Sequence, residues 1–107
     1  MKIADVAPGT PATIVIYQDT RAAVVVRRTP KRVIVALVEL DESTRKHVAP
    51  GTPDPGHTVK GDLTKIIEGS ERTYTLKEDS TGKAYATSGD YGRLSLGHSV
   101  EYRASNV

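Results

Sequence analysis

The sequence predicts an all-β protein: a small SH3-like or similar antiparallel barrel of six to seven strands that assembles as an oligomer. Three observations lead there. Between residues 10 and 40, β-branched residues crowd into runs that no helical period of three to four explains. Short polar breaks, of the length that joins antiparallel neighbours, separate those runs. A chain of 107 residues has room for one compact domain, 1–107, because domains cluster near about 100–150 residues.

The first strand is expected over 12–17, and the polar break from Gln18 to Arg21 leads to a second over 22–28. Thr29-Pro30-Lys31-Arg32 is a turn, where the fixed φ of Pro30 fits and its missing N–H breaks no ladder. In the third strand, 33–40, Val33, Val35 and Leu37 lie on one face and Ile34, Ala36, Val38 and Leu40 on the other, so both faces read as buried. An antiparallel sheet in a small protein usually wets one face. Either later segments cover the outside of a barrel or a second protomer does. Residues 41–62, with Pro50, Gly51, Pro53, Pro55, Gly56 and Gly61, read as a long loop. Strand signals resume over 63–67 and 72–77, Asp79-Ser80-Thr81-Gly82 is a turn, and 83–87 returns. A glycine-containing break then precedes an extended segment over 93–103.

Composition narrows the function. Five tyrosines stand without Phe or Trp, which predicts an aliphatic core and leaves tyrosine rings for the rims. Absent cysteine removes disulfides, thiol nucleophiles and thiolate metal sites. No apolar run approaches the roughly 20 residues of a membrane span, so no membrane partner is expected. The start Met1-Lys2-Ile3-Ala4-Asp5 carries no long apolar stretch, and the expected location is cytoplasmic. A net charge of +2 does not argue for duplex binding by itself. Yet Arg21, Arg27, Arg28, Lys31 and Arg32 cluster without an acid among them.

Enzyme motifs are absent: there is no phosphate loop with its lysine, no G-x-S-x-G elbow and no H-E-x-x-H helix. His47, His57 and His98 lack partners at metal-site spacing. No catalytic residue, metal or cofactor is therefore expected. Asp41-Glu42 and Glu78-Asp79 read as solvated turns rather than hydrolytic pairs. Binding chemistry is better represented, because tyrosines close to arginines supply base stacking and phosphate neutralisation together. Tyr17 with Arg21, Tyr91 with Arg93, and Tyr102 with Arg103 are such pairs. The structural alternative is that these rings cap barrel ends while the arginines solubilise the rim.

The stretch from Gly9 to Val26, with Gly9-Thr10-Pro11-Ala12-Thr13 leading to Asp19-Thr20-Arg21-Ala22, resembles a widespread family of small bacteriophage proteins. So does the tail with Gly97-His98 and Tyr102. In that family a G-x-x-A-T strand leads to an S-D-R-like turn, and later a lysine-rich hairpin leads to a G-H segment with tyrosine. Here the hairpin corresponds to Leu76-Lys77 with Gly82-Lys83, and the arginine of the first turn stands one residue later than in the family pattern. The family is in turn similar to the phage sponge proteins of the anti-CBASS group, which sequester cyclic nucleotide signals of bacterial immunity. That resemblance implies a non-enzymatic homo-oligomer in the host cytoplasm that binds a cyclic di- or trinucleotide. Tyr17, Arg21, Tyr91, Arg93, His98, Tyr102 and Arg103 are the candidate ligand-binding residues. A phage structural or assembly module, and a small-barrel nucleic-acid-binding protein using the basic 21–32 hairpin, are the alternatives.

Overall fold

The computed structural model describes residues 1–16, 19–47, 56–90 and 92–104, with the backbone alone at 19, 47, 56, 57 and 102–104. Its strands are β1 (Pro11–Ile16), β2 (Asp19–Arg28), β3 (Arg32–His47), β4 (Gly56–Ile66), β5 (Arg72–Glu78), β6 (Ala84–Ser88), β7 (Gly92–Leu96) and β8 (Val100–Ala104). All pairings are antiparallel. β1 joins β2 to β7, followed by β6, β5 and β3, and β3 pairs back with β2. Six strands thus close a ring. The other two branch from it, since the C-terminal half of β3 pairs with β4, and β4 with β8. The all-β barrel class is as the sequence predicts, with eight strands in place of six or seven.

Alternation along the ring strands fills its inside. Ala12, Ile14, Ala23, Val25, Val33, Val35, Leu37, Tyr74, Leu76, Ala84, Ala86, Leu94 and Leu96 form one buried cluster with Val6. The expectation of a purely aliphatic core is corrected here, because Tyr74 is only 1% exposed. Alanines at 12, 23, 84 and 86 face the same interior, and small residues around a narrow ring leave volume for one large one.

The doubly apolar strands have an intramolecular cover. Ala22 and Val24 of β2 and Val38 of β3 point outward into a second cluster, against which Val26, Leu40 and Leu63 pack. Leu63 belongs to β4, so the branch lies over the outside of β2 and β3. At the crossing stands Gly61. A Cβ there would lie 2.6 Å from Ser99 Oγ, 2.6 Å from Val38 Cγ2 and 2.8 Å from Ala22 Cβ. Only a residue without a side chain lets the layers approach this closely.

The long loop expected over 41–62 is corrected as well: β3 runs on to His47 and β4 starts at Gly56, with 48–55 outside the described residues. Two bulges interrupt this ribbon. Residues 42–45 stand opposite Val59 alone, and residues 62–65 opposite Glu39 alone. The predicted final segment over 93–103 is broken at Gly97, whose φ of +103° turns the chain between β7 and β8. At the other end, a 3-10 turn (Ile3–Asp5) places Val6 in the inner cluster. Arg28 Nη1 fixes that turn by donating to the carbonyl oxygens of Ile3 at 2.5 Å and Val6 at 2.8 Å. Among the described residues no helix is long and apolar enough to cross a membrane.

Candidate functional site

A cleft of about 260 Å³ opens where β4 meets the segment between β7 and β8, lined by Pro11, Lys60, Gly61, Leu63, Gly97, His98, Ser99 and Val100. Local sequence builds each wall. Gly97 N–H donates to the carbonyl of Pro11 at 2.9 Å, which holds the turn against β1. Thr13, buried on the outward side of β1, donates its hydroxyl to the His98 carbonyl at 2.9 Å and accepts the Val100 N–H at 3.2 Å. Ser99 is buried too: its Oγ accepts the Ala23 N–H at 3.0 Å, and its carbonyl accepts the Gly61 N–H at 2.9 Å. The backbone beneath His98 is therefore fixed on both sides, while the His98 side chain itself is exposed.

The opposite wall depends on the β4 bulge. Asp62 Oδ1 accepts the Thr64 N–H at 3.0 Å and the Thr64 hydroxyl at 2.6 Å, closing a turn that carries Leu63 between its two ends. The Thr64 hydroxyl, then its N–H, hold the Asp62 carboxyl below its ordinary pKa against desolvation, with the charge of Lys65 adding least. Lys60 sits just before the crossing with its N–H bonded to Thr44 Oγ1 at 2.8 Å and its side chain exposed. The cleft thus combines an apolar lining from Pro11, Leu63 and Val100 with an ammonium and an imidazole. Among the described residues no carboxylate lines it.

The residues singled out from sequence are not gathered in one place. His98 lines the cleft. Arg93 lies near the start of β7, about 10 Å of extended strand before Leu96, where the chain turns at Gly97 to reach His98. Its guanidinium stacks over the Tyr85 ring at 4.9 Å from the centroid. Arg21 pairs through Nε with Glu101 Oε1 at 3.2 Å; Arg21 is 49% exposed and the carboxylate side only 7%. Tyr17 and Tyr91 lie outside the described residues, as do the side chains of Tyr102 and Arg103, whose backbones pair with Thr58 and His57. Of the basic hairpin, Arg27 is paired with Glu71 at 2.7 Å and Arg28 holds the N-terminal turn.

Lys60, Leu63, Ser99 and Tyr85 went unnoticed in the sequence. Lys60 precedes and Leu63 sits within a bulge with no local hydrophobic period, and Ser99 finds its partner 76 residues away. Tyr85 had a usable signal: in a β6–β7 hairpin, alternation puts it on the same face as Arg93. Fold and site together define a small antiparallel β barrel with an external two-strand branch and a cationic cleft at their junction. No family model, curated protein or solved structure matches the chain.

Proposed function

We propose that the chain is a phage-encoded, non-enzymatic anti-defence protein that sequesters a cyclic oligonucleotide immune signal in the host cytoplasm, in the manner of an anti-CBASS sponge. The observation that supports this reading is the cleft. Lys60 offers charge to a phosphate and His98 an imidazole hydrogen bond, beside the apolar surface of Pro11, Leu63 and Val100, and among the described residues no lining carboxylate opposes an anion. Sequestration needs such contacts and no proton-transfer group. At about 260 Å³ the cleft is smaller than the roughly 300–1,000 Å³ of pockets that enclose drug-sized ligands. One nucleotide unit fits better than a whole cyclic dinucleotide, so a second copy of the chain completes the site in this reading.

A calorimetric titration with a panel of cyclic di- and trinucleotides tests it, followed by denaturation and recovery of the ligand. Binding at micromolar protein with intact ligand returned is expected. Lys60→Gln removes a charge-assisted contact worth about 1.5–3 kcal/mol and weakens binding by about tenfold or more, whereas His98→Ala removes a hydrogen bond worth about 0.5–1.5 kcal/mol and weakens it severalfold. If no member of the panel binds, the reading is wrong, and a cleaved ligand makes the protein an enzyme.

A further inference from the structure

The register aligns a second surface, on the side of the ring that β4 and β8 leave uncovered. Arg32 on β3 stands beside Thr75 on β5, Thr75 beside Thr87 on β6, and Thr87 beside Arg93 on β7. The adjacent row runs from Lys77 through Tyr85 to Ser95. Tyr74, Leu76, Ala84, Ala86, Leu94 and Leu96 alternate with these residues and fill the inner cluster, so both rows face outward. The outward positions of β5, β6 and β7 carry hydroxyls, cations and one ring, and no Asp or Glu. Among the described residues, Arg32, Lys77 and Arg93 take part in none of the ion pairs, whereas Arg21, Arg27 and Arg45 each have a carboxylate partner.

We propose that this β5–β6–β7 face binds single-stranded nucleic acid, with Arg32, Lys77 and Arg93 on phosphates and Tyr85 as the stacking platform. The charge complementarity is one-sided, and the Arg93 guanidinium already lies over the Tyr85 ring, whose face is thus open to a partner from the outside of the sheet. Shape decides the class of ligand. A small molecule needs about 70–90% of its surface enclosed, whereas an extended strand lies along rows of outward side chains such as those of β5, β6 and β7. A duplex is disfavoured because its bases are stacked away from a ring, and reading its major groove takes a protruding helix or ribbon. Three strand spacings separate Arg32 from Arg93, about 14 Å, so several phosphates of one strand come within reach.

The test is fluorescence anisotropy of labelled oligothymidylate and of a duplex, between about 50 and 200 mM salt. The single strand binds more tightly, with a log–log salt slope near −2, from about 0.7 per neutralised phosphate over three cations. Tyr85→Ala weakens binding about tenfold or more at every salt concentration, whereas Tyr85→Phe keeps the ring and binds as the native protein does. Replacing Arg32, Lys77 and Arg93 together by glutamine flattens the slope. Lys60→Gln and His98→Ala leave this binding unchanged, which separates its failure from that of the cleft. Equal or tighter binding of duplex, a triple variant with the native slope, or no single-strand binding at low salt overturns the proposal.

Discussion

Asp41, Asp62 and Asp79 repeat one device, each accepting on Oδ1 both the N–H and the hydroxyl of the Ser or Thr two residues on. For Asp79 the Thr81 hydroxyl contributes most to holding the pKa low, then the Lys83 N–H, with desolvation opposing and the Thr81 N–H and Lys83 charge adding less. A depressed folded pKa favours the native state above the unfolded value of about 3.9 and ceases to do so as pH falls through the folded value. Asp79→Asn keeps an acceptor oxygen but no charge. Native protein is therefore expected to be more stable than this variant at neutral pH, with the difference vanishing in acid, as urea unfolding across that range reads out. The Asp79 turn was legible because all its partners lie within four residues. Thr13 and Ser99 were not, since nothing near Thr13 announces a bond to a carbonyl 85 residues away.

Among the elements, the β4 branch is where sequence and structure part. The ring strands were readable because each hides one side in the barrel, and burial is what imposes a period of two. Among the described residues between Asp41 and Gly61 only Val59 is buried, so the glycines and charges of this stretch look like those of a loop. Its attachment is nonetheless sterically exacting. Gly61→Ala drives a methyl into Ser99, Val38 and Ala22, and overpacking of this kind costs about 1–3 kcal/mol. Urea unfolding is expected to show that loss. Hydrogen exchange should quicken at the Gly61 and Ala23 amides, both bonded to Ser99. A variant with native stability and native exchange there would show that the crossing is looser than its contacts imply.

For the molecule as a whole, β2 and β3 link the two clusters: Ala23, Val25, Val33 and Val35 face inward while Ala22, Val24 and Val38 face the branch. Neither cluster can dissolve without taking strands from the other. Unfolding followed by tyrosine absorbance and by backbone circular dichroism is expected to give coincident curves. Two separated transitions would make the branch an independent unit. The closed barrel could be inferred from strand count and apolar runs, but the candidate cleft could not, since its walls come from three distant parts of the chain. One contact also matters to whoever handles the protein. The Met1 carbonyl accepts the Ala84 N–H at 2.8 Å, and Lys2 bridges to Lys83. A purification tag or sensor linker fused ahead of Met1 would leave the barrel next to the strand that presents Tyr85. Immobilised by that end, the protein would present the β6 surface partly shaded, and for the single strand proposed to bind there, affinities measured on a chip would understate those in free solution.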